Sequence, residues 1–196
     1  FEDEIKFINA IQDSIVLNFK SDETEFKYFG DVSYYYENRK GLCYDRAVLM
    51  EKILSYYGFP FRHIYAYFGE KDEMPSAFSI FKKGLSSHAL FEVKTKKGWM
   101  AVGTNSDWIA LSSANDVLTV KDLREKAKHG ILSLKDGPSI RPFWGEGGAN
   151  FKVVYGLYSR HGKFFTHQNS TIASLLLNIS FLPDYNSKMF FYNFFD

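Results

Sequence analysis

Residues 43–60 constrain the fold most strongly, because an apolar ladder with helical spacing ends there at a glycine and a proline. Gly58 lies where a helix C-cap is expected, and Pro60 cannot continue a helix. The segment FRHIYAYF follows at once, and its aromatic residues are typical of a strand. The members of the ladder are Cys43, Ala47, Met50, Leu54 and Tyr57. The sequence therefore predicts a helix that begins at the single cysteine and leads directly into a strand.

The segment HALFEVKTKKGWMAV predicts a β-hairpin whose turn lies within KTKKG. A two-residue turn at residues 96–97 would place His88 across from Asn105. A turn at residues 97–98 would place His88 across from Asp107 instead. Both partners would share a sheet face with His88, so both positions are candidates to contact its imidazole.

Two further segments predict helices. FEDEIKFINAIQDSIVLNF carries isoleucines at helical spacing near the start of the chain. TVKDLREKAKHG has Thr119 as an expected N-cap and Gly130 as an expected stop. The segment FKVVYGLYS predicts another strand, so helices and strands are mixed along the chain.

Composition excludes several classes of protein. The 196 residues are enough for one domain, and the hydrophobic fraction of 45% is ordinary for a globular protein. A net charge of +1 argues against a nucleic-acid binder, and no apolar run approaches the ~20 residues of a membrane span. One cysteine excludes an intrachain disulfide framework and a multi-cysteine zinc site. The spacing of His161 and His167 does not favour a metal site, and we expect no cofactor.

Cys43 and His88 have the order that a thiol nucleophile needs. Backbone N–H groups at a helix start favour an anion, so we expect a lowered thiol pKa and a thiolate–imidazolium pair. A histidine from a strand can take the thiol proton, and a polar residue on the next strand can orient the imidazole. Cys43 opens the predicted helix, and His88 begins the predicted hairpin.

Two segments resemble the transglutaminase-like superfamily. GLCYDRAVLMEKILSYYGFPFR is similar to the nucleophile segment of that family, and HALFEVKTKKGWMAV is similar to its His-Ala-x-x-Glu-Val segment. The resemblance implies an α+β fold with a papain-like core, in which the nucleophile helix packs on an antiparallel sheet. It also implies Cys43 as nucleophile and His88 as base. We expect a single domain over 1–196, with the core at about 30–110 and a C-terminal extension at 111–196.

The chain departs from the family at the third catalytic position, where Gly103 stands in place of the usual Asp. Glycine cannot orient an imidazole, so Asn105 or Asp107 is expected to do so. The backbone N–H of Cys43 is an expected oxyanion donor. The candidate substrate-binding residues are Gly41, Trp99, Tyr36 and Asn38.

The leading functional hypothesis is a cysteine peptidase or amidase that acts on a peptide or protein substrate through a thioester. One alternative is an acyltransferase similar to the arylamine N-acetyltransferases, because RKGLCYD partly matches their cysteine segment. Another is a degenerate binding module without activity, which Gly103 favours. The first residue is Phe1 rather than Met, which favours a processed, extracytoplasmic form but leaves the compartment open. The oligomeric state is also open.

Overall fold

The structure is a computed structural model. It describes residues 1–22, 31–69, 86–112, 114–128, 150–160 and 163–166. The helices are α1 (Glu2–Val16), α2 (Val32–Asn38), α3 (Cys43–Tyr56) and α4 (Val120–Lys128). The strands are β1 (Phe61–Phe68), β2 (Ser87–Thr95), β3 (Gly98–Val102), β4 (Phe151–Tyr155), β5 (Leu157–Arg160) and β6 (Lys163–Thr166). The predicted α+β class is confirmed.

Helix α3 packs against helices and strands. It contacts β1, β2 and β5 as well as α1 and α2. The predicted ladder is buried at Ala47, Met50 and Leu54, but Tyr57 is exposed, so that position was assigned wrongly. Residues 44–51 are all buried, including the charged Asp45 and Glu51, whereas Lys52, Ser55 and Tyr56 are exposed. The exposed positions of α3 thus lie toward its C-terminal end.

The main sheet is antiparallel, with the strand order β3-β2-β1-β4, and β5 pairs with β6 in a separate sheet. The hairpin β2–β3 has its turn at residues 96–97, because Thr95 pairs with Gly98. The first of the two predicted registers is therefore confirmed. Ordered pairing ends at Phe91 and Val102, so β3 stops several residues before it would reach His88.

Buried carboxylates anchor both faces of this sheet. Toward α3, the Glu51 carboxylate lies 2.6 Å from Nδ1 of His63 on β1. On the opposite face, the fully buried Glu92 accepts a hydrogen bond from Arg62 at 2.6 Å. The other carboxylate oxygen of Glu92 accepts the backbone N–H of Val120, at the first turn of α4, at 2.8 Å. Glu92 thus joins β1, β2 and α4.

The start of α4 follows the prediction. The Thr119 hydroxyl accepts the Asp122 N–H at 3.1 Å, and the Asp122 carboxylate accepts the Thr119 N–H at 2.9 Å. The predicted strand FKVVYGLYS is two strands, β4 and β5, broken at Gly156, where φ is +73°. Gly130, His161 and His167 lie outside the described residues. Within the described ranges, no helix is long and apolar enough to cross a membrane.

We predict that Glu92→Ala lowers the free energy of unfolding by about 3 kcal/mol, because it leaves Arg62 and the start of α4 without their shared partner. Urea denaturation at neutral pH measures this. Glu125→Ala is the matched control, because the Glu125 side chain is half exposed beside Arg124, and its effect should stay within about 0.5 kcal/mol. Equal losses in the two variants would contradict the anchoring role of Glu92.

Candidate active site

The backbone that precedes Cys43 is held in place before the helix begins. The Gly41 N–H donates to the Lys20 carbonyl at 3.0 Å. The Asp45 carboxylate accepts the Leu42 N–H at 3.0 Å and so caps the first turn of α3. A Cβ on Gly41 would lie 2.6 Å from the Asp45 Cβ, so only glycine fits there. Gly41 was predicted to bind substrate. In the structure it packs closely against Asp45 and so fixes the backbone that leads to Cys43.

The backbone of Ala89 brings the site together. Its N–H donates to the Cys43 sulfur, with N and S 3.5 Å apart. Its carbonyl accepts the Thr104 hydroxyl at 2.7 Å. In an antiparallel strand the N–H and C=O of one residue point to the same edge, so the thiol and the hydroxyl lie side by side there. His88 directly precedes Ala89, at the start of the described hairpin.

The Thr104 hydroxyl contacts the imidazole of His88. Its Oγ1 lies 3.2 Å from Nε2 of His88, and both side chains are buried. A hydroxyl has one proton, and Thr104 donates that proton to the Ala89 carbonyl, which can only accept. Nε2 of His88 is therefore the donor in the second hydrogen bond. This assigns the lone pair of the neutral ring to Nδ1, the nitrogen that can act as a base.

The predicted partners Asn105 and Asp107 are exposed, and no described contact brings either to His88. The Asn105 side chain instead accepts a hydrogen bond from Arg46 at 3.3 Å. The register would have placed Asn105 across from His88, but β3 ends at Val102 and the chain turns away. The contact thus moves one residue earlier, to Thr104.

The turn after Val102 explains why position 103 is glycine. The Gly103 N–H donates to the Trp108 carbonyl at 2.9 Å, which folds the chain back on itself. A Cβ on Gly103 would lie 2.6 Å from the Ser106 carbonyl oxygen and 2.8 Å from the Trp108 ring. No side chain fits there without a shift of the backbone. An orienting carboxylate at this position is incompatible with the observed loop.

The buried Gln12 on α1 holds the same loop from the other side. Its Nε2 donates to the carbonyls of Gly103 at 2.9 Å, Ser106 at 3.2 Å and Trp108 at 2.6 Å. These contacts span more than 90 positions of sequence, so sequence reasoning missed Gln12. Thr104 was missed as well, although its contacts with His88 and Ala89 span only 16 and 15 positions. The available signal for Thr104 was the register, because a turn at residues 96–97 places it across from Ala89.

Burial decides the charge states of Cys43 and His88. It raises the pKa of the Cys43 thiol, and this outweighs the hydrogen bonds from the Ala89 and Tyr44 N–H groups, which lower it. Burial also lowers the pKa of His88 to about 4, and the charge of His63 adds to that effect. The expected lowering of the thiol pKa is therefore reversed. At neutral pH Cys43 is a thiol and His88 is a neutral imidazole, so the expected thiolate–imidazolium pair is not preformed.

No described contact joins the remaining predicted residues, Trp99, Tyr36 and Asn38, to the thiol. Trp99 pairs with Lys94, at the turn end of the hairpin, roughly 20 Å along β2 from His88, and its ring packs 4.5 Å from the Arg62 guanidinium. The Tyr36 ring is exposed and stacks on Arg39 at 4.2 Å.

The Asn38 side chain donates back to the Tyr34 carbonyl at 2.9 Å, at the end of α2. The described residues contain no group of three potential ligands that could hold a metal ion.

The family model of the transglutaminase-like superfamily matches residues 2–104, more than half of the chain. The chain belongs to the transglutaminase-like superfamily. The matched range begins in α1, which carries Gln12, and ends at Thr104. Comparisons with curated proteins and with solved structures each gave no match. In this transglutaminase-like domain the family segments carry Cys43 and His88, while a threonine hydroxyl contacts the imidazole.

We predict that Gly103→Ala destabilises this transglutaminase-like domain by about 2–3 kcal/mol, because the added Cβ meets backbone and a buried indole. Gly103→Asp should cost at least as much, because its larger side chain meets the same atoms. Gly58→Ala separates steric contact from backbone strain, because Gly58 has φ +79° but open space around it. Its expected loss is about 1 kcal/mol. Thermal and urea denaturation compare the variants, and equal losses would argue against the steric explanation.

The lowered pKa of His88 predicts a pH-dependent stability. Between pH 6.5 and about 4 the unfolded chain binds a proton on His88 that the folded chain does not. Stability should therefore fall as pH decreases through this window, by roughly 3 kcal/mol from this residue. Urea denaturation from pH 7 to 4 should show a shallower dependence in His88→Gln than in the wild type. Parallel curves would contradict the assignment.

Proposed function

We propose that this protein is a cysteine enzyme that cleaves an amide or related acyl bond through a thioester on Cys43, most simply as a peptidase or amidase. The observation that carries the proposal is that the Ala89 backbone binds both the Cys43 sulfur and the Thr104 hydroxyl, and that this hydroxyl also contacts the imidazole of His88. A cysteine with only a packing role would not require a histidine held in one tautomer at the neighbouring position of β2. Membership of the superfamily supports the same chemistry.

In the first half of the proposed reaction, the Cys43 sulfur attacks the substrate carbonyl carbon while Nδ1 of His88 takes the thiol proton. The carbonyl π electrons move to oxygen and form a tetrahedral oxyanion. When that intermediate collapses, the C–N bond breaks, and the proton on His88 passes to the departing amine. The products of this half are a free amine and an acyl thioester on Cys43.

In the second half, water attacks the thioester as His88 accepts one of its protons. The C–S bond then breaks, the sulfur recovers a proton from His88, and the carboxylic acid leaves. The Cys43 and Tyr44 N–H groups, at the first turn of α3, lie close to the sulfur and are the natural donors to the oxyanion. Thr104 fixes the imidazole tautomer through both halves.

The proposed mechanism starts from a neutral Cys43 thiol and a neutral His88 imidazole. A thiol whose pKa is raised by burial is a weak nucleophile until its proton moves, so proton transfer must accompany attack. A hydroxyl also stabilises an imidazolium less than a carboxylate does. We therefore expect slower acylation than in a thiol enzyme with a Cys-His-Asp triad.

The same two facts favour a second candidate function, a non-catalytic binding module that retains the family fold. Gly103 excludes the usual carboxylate, and the raised thiol pKa disfavours spontaneous reactivity. We observe nothing specific that favours an arylamine N-acetyltransferase-like activity.

The test is direct detection of the acyl-enzyme. The protein is mixed with N-acetyl-aminoacyl benzyl thioesters of several side chains, quenched in acid and weighed by intact mass spectrometry. We predict an added acyl mass on the wild type and none on Cys43→Ala, because the chain has no other cysteine. A complete lack of adduct with every thioester, from a folded protein, would favour the binding module.

Variants at Thr104 and His88 make the test specific. Thr104→Ser keeps the hydroxyl and should acylate within about threefold of the wild-type rate. Thr104→Val keeps the shape and removes the hydroxyl, so we expect acylation about 10–100-fold slower. His88→Gln should reduce the rate further. Equal rates for the serine and valine variants would exclude the role given to Thr104.

A further inference from the structure

A buried charged side chain, that of Arg46, lies one turn of α3 after Cys43 and takes no part in the steps above. Arg46 is three positions after Cys43 on α3, so the two residues share a helix face with Cβ atoms about 5–6 Å apart. Its side chain is almost completely buried, at 4% exposure. A buried cation at this place needs an explanation, because burial of a charge is costly unless the charge is paired.

The guanidinium of Arg46 ties three segments together. It donates to the Phe19 carbonyl at 2.7 Å, to the Thr104 carbonyl at 3.4 Å and to the Asn105 side chain at 3.3 Å. The bond to Thr104 reaches the residue that contacts His88. Arg46 thus links the nucleophile helix to the segment that orients the base.

Carbonyl and amide oxygens are the hydrogen-bond partners of Arg46 in the described part of the chain, and none of them is a carboxylate oxygen. Its Nε, which is buried, has no hydrogen-bond partner among the described residues. The Asp45 carboxylate and, when it forms, a thiolate at Cys43 both oppose the lowering of the guanidinium pKa by burial. Asp45 already accepts the Leu42 N–H. Because no described carboxylate hydrogen-bonds to this cation, it can stabilise an anion that forms at Cys43.

We propose that Arg46 is a positioning residue of this site, whose guanidinium stabilises the Cys43 thiolate as it forms and holds Thr104 against His88. This inference rests on the proposed thioester chemistry for its purpose. In this arrangement the Arg46 cation near Cys43 partly replaces the carboxylate that would otherwise stabilise a protonated His88. It favours proton transfer from Cys43 to His88 because it stabilises the thiolate more than the imidazolium.

The experiment measures the thiol pKa, which requires no substrate. The rate of Cys43 alkylation by iodoacetamide is followed from pH 6 to 10.5, and the only cysteine makes the signal unambiguous. The titratable groups with an electrostatic interaction with Cys43 are Asp45 and Arg46 on α3. On β2, His88 directly precedes Ala89, whose N–H donates to the sulfur.

We predict that Arg46→Met raises the thiol pKa by about one unit, which is a tenfold loss of thiolate at neutral pH. Arg46→Lys keeps the charge and should stay within about 0.3 units of the wild type. Arg124→Met is the matched control, because Arg124 also donates to a backbone carbonyl, that of Phe151, but lies on α4. It should leave the thiol pKa unchanged. A folded Arg46→Met protein with an unshifted thiol pKa would overturn the proposal.

A second pair of variants applies if Arg46→Met does not fold. Asn105→Asp places a carboxylate on the guanidinium, whereas Ser106→Asp adds the same charge to an exposed neighbour for which no contact with Arg46 is described. The proposal predicts a thiol pKa higher by about 0.5 units in Asn105→Asp than in Ser106→Asp. Equal values in the two variants would count against a specific effect of Arg46.

The two proposals fail in distinguishable ways. If the wild type forms no thioester but Arg46→Met shifts the thiol pKa, the electrostatic role of Arg46 stands and the enzyme reading falls. If the wild type forms the thioester and Arg46→Met changes neither the thiol pKa nor the acylation rate, Arg46 is only structural. If acylation slows in Arg46→Met and recovers in Arg46→Lys, both proposals are supported.

Discussion

The side-chain amide of Gln12 is the contact on which the site depends. It donates to three carbonyls of the 103–108 loop and so holds the chain where it leaves the sheet after Val102. Three features of the site lie in or beside that turn. Thr104 is brought against His88, Asn105 is brought to Arg46, and Gly103 is left without room for a side chain.

Burial is the second constraint, and it works against simple thiol chemistry. Helix α3 packs against the sheet and two helices, so the groups at its N-terminus lose solvation. The pKa of the thiol rises and that of His88 falls, although backbone N–H groups surround the sulfur. Hydrogen bonds at a helix start favour an anion, but desolvation disfavours it, and at Cys43 desolvation has the larger effect. Stabilisation of the thiolate by the buried Arg46, as proposed above, would offset part of this effect.

Sequence reasoning succeeded where the signal was local or periodic. The helix from Cys43, the strand that follows Pro60, the β2–β3 hairpin and the Thr119 cap depend on spacing and on turn chemistry within a few residues. Sequence reasoning failed for positions whose surroundings are set by contacts between elements that are distant in sequence. Tyr57 continues the apolar ladder but lies exposed, and Asn105 has the right register but belongs to a chain that has already turned away.

The sequence by itself determined the α+β class, the superfamily, and the placement of Cys43 at a helix start and His88 at a strand start, because two contiguous segments encode them. Only the tertiary structure decided which residue contacts the imidazole, which nitrogen of that imidazole carries the proton, and whether the pair is charged. Those properties arise from contacts between residues some 15 to 90 positions apart and from desolvation by the assembled core. No local pattern of residues records such contacts.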